Sequence, residues 1–267
     1  MSLSEKGELV GEGRTSHVYA WGPGHVLKLY YGWWPTGNIE YEAHIGRVVH
    51  AAGIPSPEVG EMVEVDGRRG LVYERVDGPS MTDVLMSTPD RLEELALTFA
   101  QLHADMHRPA PHSNLPRQRD KLLRQVQEAS PLSDKLKEKM LRLLKELPDG
   151  DVVCHGDLHP TNVLMSSRGP VAIDWENASL GSGLADVARS ALLLETAHIS
   201  LIGAPDYATL LEAISQFRQL YLQAYCSLTG ADPDLIARWR VPVSAARLHE
   251  GIDAEEAYLL GIVADAD

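Results

Sequence analysis

The first third of the chain carries its apolar residues in short alternating runs, which is the pattern of β-strands. Three such runs, ELVGEG, SHVYAW and HVLKLY, are separated by glycine-containing turns and predict an antiparallel meander. A run with helical spacing follows from Ile39 to Ala52, and two more apolar runs then flank Asp66 and Gly67, a strong signal for a β-hairpin. The pattern predicts a five-stranded antiparallel sheet with one helix.

From about residue 78 the apolar residues recur every three or four positions, which indicates helices. One helical run has Pro89 in its first turn, and another follows Ser133, which suits the cap position. Short strands around DVVCH, NVLM and VAID interrupt the helices, and Pro242 is expected to break or kink one of the later helices. The chain therefore predicts an α+β fold with a small antiparallel β lobe in residues 1–76 and a larger, mainly helical lobe in residues 77–267.

Composition narrows the class of protein. The 267 residues include 38 acidic and 24 basic side chains, a formal net charge of −14, and no run of lysine and arginine stands out. We therefore expect neither nucleic acid nor an anionic membrane as a partner. The apolar stretches are too short to span a bilayer, and the start MSLSEKGELV lacks the features of a signal peptide. A cytoplasmic location is expected.

The stretch VVCHGDLHPTNVLM, residues 152–165, places polar side chains between two strand-like runs. Asp157 and Asn162 lie five residues apart, and Asp174 ends the following strand VAID. Such hard oxygen donors suit magnesium, which bridges phosphate oxygens. The spacing H-x-D-x-x-x-x-N followed by an aspartate is the arrangement used for phosphoryl transfer, in which one aspartate takes the proton of the substrate hydroxyl.

The other parts that phosphoryl transfer needs lie upstream. The turn GEGRTS can lay the backbone of Gly13 and the hydroxyls of Thr15 and Ser16 over phosphates. Lys28 lies on the third predicted strand, and Glu42 lies fourteen residues later on the predicted helix. This is the pairing that positions a lysine against the α- and β-phosphates of a nucleotide.

The segments HGDLHPTNVL, AIDWENA, GLADVAR, GEGRTSHVY and PSPEV resemble the aminoglycoside phosphotransferase and choline kinase superfamily, the small-molecule kinases with a bilobal protein-kinase-like fold. The resemblance spans roughly residues 8 to 197. It implies that residues 1–76 bind the nucleotide and that residues 77–267 hold the catalytic loop and the acceptor pocket. By position it implies Asp157 as catalytic base and Asn162 with Asp174 as Mg²⁺ ligands.

The resemblance also implies roles for supporting residues. Lys28 with Glu42 would position the phosphates, and the backbone of Glu74 and Val76 in LVYERVDG would form the hinge that meets a purine. His155 and Asp186 resemble residues that brace the catalytic loop. The predicted reaction is transfer of the γ-phosphoryl group of ATP or GTP to a hydroxyl of a small molecule.

Asp186 follows Asp174 by only twelve positions, so there is no activation segment of the kind that holds a protein substrate. The acceptor itself is left open among an aminoglycoside, a choline-like amine and another metabolite, as are the choice of ATP or GTP and the oligomeric state. Carboxylates in the pocket would favour an amino sugar and aromatic residues a quaternary amine. The candidate pocket residues are Trp175, Glu176, Trp239, Asp253, Glu255 and Tyr258.

Two other interpretations were weighed against this one. A catalytically silent kinase fold that acts as a binding or regulatory module would have lost the base, a metal ligand or the lysine, and this chain retains all of them. His103 and His107 have the spacing of a zinc pair, but no glutamate follows the first histidine and LHADMH is more typical of a core-facing helix.

Overall fold

The alternating runs form one antiparallel sheet in the computed structural model, which describes residues 6–110 and 114–265. Its order is β1-β2-β3-β5-β4. Asp66 and Gly67 have φ angles of 52° and 70°, as a two-residue turn of a twisted hairpin requires. The five predicted strands are confirmed as β1 (Lys6–Glu12), β2 (Ser16–Trp21), β3 (His25–Tyr30), β4 (Val59–Val65) and β5 (Arg68–Glu74).

Helix α1 (Thr36–Ala51) packs on one face of this sheet, as predicted. Ile39 of the helix is buried with Tyr30 and Leu71 of the strands in one apolar cluster. Because residues two apart along a strand lie on the same face, Lys28 is on the face that the helix covers. Burial of these apolar side chains holds the helix over the strand that carries the lysine.

The later elements alternate helices with short strands, as the sequence predicts. Ser133 accepts the backbone N–H of Leu136 at 3.4 Å and caps its helix. Pro242 does not break its helix, which continues to Arg247, and a kink there stays a prediction. The elements are α2 (Met81–Ser87), α3 (Leu92–Met106), α4 (Gln118–Glu128), α5 (Asp134–Glu146), β6 (Val152–Cys154), β7 (Val163–Ser166), β8 (Gly169–Ala172), β9 (Ser179–Gly181), α6 (Gly183–Ala197), α7 (Tyr207–Thr229), α8 (Pro233–Arg247) and α9 (Asp253–Ala264).

The chain divides into two units. The first comprises the described residues up to Ser80 together with Asn162–Glu176, and the second comprises Met81–Thr161 with the described residues from Asn177 onward. The hairpin of β7 and β8 thus groups with the sheet, whereas the sequence placed it in the second lobe. Backbone hydrogen bonds explain this: Met165 donates to the Pro79 carbonyl at 2.8 Å, and Ala172 donates to that of Pro55 at 2.9 Å. The functional division at residue 76 stays a prediction.

The second unit is built on packed helices that surround the paired strands β6 and β9. Helix α3 packs against α7, and α6 packs against α8. Phe99 of α3 lies edge to face against Tyr221 of α7, with ring centroids 4.9 Å apart. Over residues 6–110 and 114–265, the helices all lack the combination of length and apolar composition that crossing a bilayer requires.

Candidate active site

The ammonium group of Lys28 lies between two carboxylates in the first unit. Its Nζ is 2.7 Å from Glu42 Oε1 and 3.2 Å from Asp174 Oδ1, and the side chain is 15% exposed. Burial lowers the pKa of Lys28, but the charges of Asp174 and Glu42 more than offset this, so the pKa ends above its usual value. Lys28 is therefore a fixed cation at neutral pH.

Glu42 is held in place by two tyrosines that sequence reasoning missed. Tyr30 donates its hydroxyl to Glu42 Oε2 at 2.8 Å, and Tyr73 donates to Oε1 at 2.7 Å. Burial, followed by the Glu42 charge, raises the pKa of both phenols, so both remain neutral donors. The sequence pattern that could have identified Tyr30 is the alternation along β3, which puts Tyr30 on the same face as Lys28.

The open end of the β7–β8 hairpin carries Asn162 and Asp174. The carbonyl of Asn162 accepts the backbone N–H of Ile173 at 3.0 Å, which extends the strand pairing up to Asp174. Asp174 has a φ of 65°, a left-handed conformation that aspartate tolerates better than most residues. Its side chain is 42% exposed. The Oδ1 atom is therefore held near Lys28 while the carboxylate keeps access to solvent.

The glycine-containing turn is a tight hairpin loop. Gly13 donates its N–H to the carbonyl of Ser16 at 2.9 Å, and the carbonyl of Thr15 accepts the N–H of Tyr31 at 2.9 Å. Ser16 begins β2 and is only 3% exposed, whereas Thr15 is half-buried. Of the two predicted hydroxyls, Thr15 is therefore the more accessible.

The predicted hinge follows directly from β5. Glu74 donates its backbone N–H to the carbonyl of Glu58 at 2.9 Å, so this N–H is already used within the fold. Its carboxylate is bound by both terminal nitrogens of Arg168, at 2.6 and 2.9 Å. These contacts fix the end of the strand, and half-buried Val76 lies two residues beyond.

In the second unit, the backbone around Asp157 is fastened to a buried aspartate. Asp186, 1% exposed, accepts the N–H of His155 on Oδ2 at 2.6 Å and that of Gly156 on Oδ1 at 2.8 Å. Gly156 has a φ of 79°, and a Cβ there would lie 2.6 Å from the Asn177 carbonyl oxygen, so no larger residue fits. Asp157 also donates its backbone N–H to His155 Nδ1 at 3.2 Å, and the bracing role of His155 and Asp186 stays a prediction.

His103 and His107 also bind Asp186. Their Nε2 atoms lie 3.1 and 3.3 Å from Asp186 Oδ2, and their Nδ1 atoms lie 2.7 Å from the hydroxyls of Tyr221 and Tyr225, respectively. A carboxylate only accepts hydrogen bonds, so each Nε2 donates to Asp186. Burial lowers the pKa of His103, so its Nδ1 accepts from Tyr221. The three groups are close enough to hold a metal ion, but all four ring nitrogens have partners, which favours a hydrogen-bond network.

His103 makes the stability of the protein depend on pH. Burial, with a contribution from His107, lowers the pKa of His103 to about 4 although Asp186 opposes this. Between pH 6.5 and 4 the unfolded chain therefore binds the proton more strongly, and stability falls as the pH falls. We expect the free energy of unfolding to drop by about 2 kcal/mol from this residue between pH 7 and pH 5.

Urea unfolding of the wild type and of His103→Gln at both pH values measures this contribution. The variant should lose about 2 kcal/mol less than the wild type on acidification, because glutamine does not titrate. Equal losses in both proteins would mean that the folded protein protonates His103 as readily as the unfolded chain does.

Arg189 contacts Asp157 directly, and the sequence analysis did not single it out. Its Nη2 lies 3.4 Å from Asp157 Oδ1 and 2.6 Å from Glu250 Oε1, and its Nε donates to the Gly156 carbonyl at 3.3 Å. Arg189 lies three residues after Asp186 on α6, and residues at this spacing share a helix face. That spacing was the signal that could have found it.

The six residues predicted for the acceptor pocket are spread over both units. Trp175 is buried and donates its indole N–H to the Ala172 carbonyl at 2.9 Å, and the charge of Glu176 contributes to the raised pKa of Lys28. Trp239 is 1% exposed, and Tyr258 donates to Glu195. Asp253 begins α9, and Glu255 binds Arg247.

The second unit instead contains a pocket beside Gly156. It is bordered by α4, α6 and α8, which contribute Lys121, Arg189 and Arg247, and by Glu250 just after α8. Its empty space, including the part open to solvent, is about 480 Å³.

Comparison with known proteins relates this chain to one family. The model of the phosphotransferase enzyme family matches residues 6–239, and no curated protein matches the sequence. A crystal structure of aminoglycoside-3'-phosphotransferase of type VIII is 22% identical, with a TM-score of 0.59 over 90% of this chain and 91% of that one.

Two further structures are similar in fold. The streptomycin–ATP–APH(2")-IIa ternary complex is 13% identical, with a TM-score of 0.58 over 100% of this chain and 93% of that one. Macrolide 2'-phosphotransferase MphH from Brachybacterium faecium is 17% identical, with a TM-score of 0.55 over 98% and 92%. These likenesses confirm the predicted α+β, protein-kinase-like fold class.

Proposed function

Because this chain belongs to the phosphotransferase enzyme family, and so is a small-molecule kinase, we propose that it transfers the γ-phosphoryl group of ATP or GTP to a hydroxyl of a small alcohol. The observation that carries the proposal is the position of Lys28, buried between Glu42 and Asp174. Two of the similar structures are named for aminoglycoside and macrolide phosphotransferases, which supports a small-molecule acceptor.

The first unit supplies the proposed nucleotide site. Lys28, fixed by Glu42, neutralises the α- and β-phosphates, which is the role of such a pair in kinase chemistry. The turn from Gly13 to Ser16 covers the phosphates, with Thr15 as the accessible hydroxyl. The purine meets the carbonyl of Glu74 and the backbone of Val76.

Asn162 and Asp174 suit Mg²⁺ as the metal that accompanies the nucleotide. Both offer oxygen atoms, and the exposure of Asp174 leaves room for the waters and phosphate oxygens that magnesium keeps around it. When bound, the ion offsets negative charge on the β- and γ-oxygens. Lys28, 3.2 Å from Asp174, adds its positive charge at the α- and β-phosphates.

Asp157 is the proposed base in the second unit. Its carboxylate accepts the proton of the acceptor hydroxyl while the oxygen attacks the γ-phosphorus. Asp186 fixes the backbone of the two residues before it, and Arg189 contacts its side chain. Positioning and electrostatics supply most of the acceleration in such reactions.

We expect Asp174→Asn to weaken Mg²⁺-dependent binding of a non-hydrolysable ATP analogue by more than tenfold, because it replaces a charged metal ligand with a neutral one. Calorimetric titration in Mg²⁺ and in EDTA measures this effect. The loss should appear in Mg²⁺ and be much smaller in EDTA.

Asp66→Asn is a matched control in the same unit. Asp66 also has a positive φ and also pairs with a lysine, Lys6, at 2.9 Å, but it lies in the β4–β5 turn. Nucleotide binding should be unchanged in this variant. An unchanged dissociation constant in Asp174→Asn would remove Asp174 from the metal site.

A further inference from the structure

The pocket beside Gly156 has the opposite charge from the rest of the protein. Three cationic side chains and two carboxylates line it, a formal excess of one positive charge, whereas the whole chain carries −14. The cations are Lys121, Arg189 and Arg247, and the carboxylates are Asp186 and Glu250.

Both carboxylates of the pocket are already occupied. Asp186 accepts two backbone N–H groups and two histidine N–H groups. Glu250 bridges the two arginines, with Oε1 2.6 Å from Arg189 Nη2 and Oε2 3.0 Å from Arg247 Nη1. A cationic acceptor would therefore find no carboxylate that is not already neutralised.

The pocket also lacks the features that bind a quaternary amine. None of the described residues that line it is aromatic, and recognition of quaternary ammonium depends on aromatic faces. The composition of this pocket thus favours neither of the two cationic acceptor classes that the sequence left open.

We propose that the acceptor alcohol carries an anionic group, a carboxylate or a phosphate, which binds Arg189 and Arg247 in place of the Glu250 side chain. Guanidinium groups bind such anions through two parallel hydrogen bonds. Arg189 also contacts Asp157 and the carbonyl of Gly156, so an anion on Arg189 holds its hydroxyl beside the base. This inference rests on the proposed kinase function.

The two arginines keep their positions when Glu250 leaves. Glu255 binds Arg247 through Nε and through Nη2, the latter at 2.7 Å, and Arg189 keeps its contacts with the catalytic loop. Glu250 is 30% exposed and is followed by Gly251, whose φ is 66°. The internal carboxylate therefore occupies a preformed anion site from a position near the surface.

Matched acceptors test the proposal on the full chain. Glycerate and glycerol 3-phosphate are compared with uncharged glycerol, and choline and streptomycin represent the cations. Binding is measured by calorimetry with Mg²⁺ and an ATP analogue present, and turnover is measured as ADP release. We expect at least one of the two anions to bind about tenfold or more tightly than glycerol, and their ratio distinguishes a carboxylate site from a phosphate site.

Three variants separate the anion site from general effects. Arg189→Gln and Arg247→Lys should weaken binding of the anion about tenfold or more, whereas Glu250→Gln should strengthen it because a competing carboxylate is removed. Misfolding would weaken anion binding, so it cannot explain weaker binding in the arginine variants together with stronger binding in Glu250→Gln. Arg240→Gln is the control: Arg240 lies on the same helix α8 but pairs with Glu195, and anion binding should not change.

The outcomes for the two proposals are distinct. Phosphorylation of choline or streptomycin in preference to both anions would overturn the anionic acceptor and leave the kinase function intact. Anion binding that is absent, or equal in the wild type and both arginine variants, would also overturn it. If the wild type does not bind nucleotide in a Mg²⁺-dependent way, the kinase function is contradicted instead. The anion site is then judged by the calorimetric binding of the anions to the wild type and the variants alone.

Discussion

Asp157→Ala should lower kcat by about 10³-fold with whichever alcohol gives the fastest ADP release, because a positioned general base contributes on the order of 10²–10⁴ in rate. Binding of the ATP analogue should stay within about threefold of the wild type, since phosphate charge is proposed to be met by Lys28 and the metal. Rapid-quench kinetics and calorimetry measure the two quantities separately.

The fold should survive this substitution. Arg189 loses its 3.4 Å contact with Asp157 but keeps the closer 2.6 Å contact with Glu250, so no buried charge is left alone. Asp134→Ala, at an exposed position in the first turn of α5, controls for the loss of an aspartate. A kcat within tenfold of the wild type in Asp157→Ala would remove Asp157 from the role of base.

Asp157→Asn refines the result by keeping the shape of the side chain while removing its charge and basicity. If Asp157 acts by accepting a proton, the asparagine variant should be nearly as slow as the alanine variant. If it acts mainly by orienting the hydroxyl, the asparagine variant should recover a large part of kcat, because an amide oxygen still accepts a hydrogen bond.

Local sequence patterns were sufficient for the strands of the sheet and for Lys28. Alternation and the Asp66-Gly67 turn predict the β1–β3 meander and the β4–β5 hairpin, but not that β5 is the strand that pairs with β3. A helix that must cover one face of the sheet can place Glu42 over β3. The structure brings Lys28 and Glu42 to 2.7 Å. Such a contact can be predicted from short-range spacing because Lys28 and Glu42 lie on β3 and α1, which follow each other directly in the chain.

The pocket that we propose for the acceptor could not be derived in the same way. Arg189, Arg247 and Glu250 come from α6, from α8 and from the turn after it, and no period in the sequence relates residues on different helices. The net charge of the chain, −14, does not determine the charge of a single pocket either. The charge of a site depends on a few side chains that tertiary packing selects.

The hairpin that carries Asn162 and Asp174 shows a second reason why the structure differs from the sequence prediction. Its position in the chain, between helices of the second unit, favours assigning it to that unit. Its backbone hydrogen bonds to Pro55 and Pro79 determine its place instead. Long-range backbone pairing of this kind leaves no local trace, since proline carbonyls accept hydrogen bonds as any other residue does.

Asp186→Ala should lower the free energy of unfolding by about 3–5 kcal/mol, the loss typical when one partner of a buried charged network is removed. Four N–H donors lose their acceptor at once: those of His155, Gly156, His103 and His107. Burial raises the pKa of Asp186, but the hydrogen bonds from the two histidines more than offset this and hold it well below its usual value.

That pKa direction fixes the pH at which the effect must be measured. A depressed carboxylate pKa contributes stability that is present above the ordinary aspartate value and lost only as the pH falls through the folded value. Urea unfolding at pH 7 should therefore show the whole loss. Asp105→Ala, at an exposed position on α3 where the carboxylate accepts a Gln101 side-chain amide at 3.0 Å, should cost less than about 1 kcal/mol.

The stability loss should be accompanied by slow turnover, because the same carboxylate fixes the backbone that carries Asp157. At a temperature where both proteins are fully folded, kcat of Asp186→Ala should fall by at least tenfold while binding of the ATP analogue changes little, since misplacement of a catalytic group by about 1 Å can cost on the order of 10²-fold. A loss below about 1 kcal/mol with normal kcat would show that the loop is held by other contacts, and the bracing role of Asp186 would then be wrong.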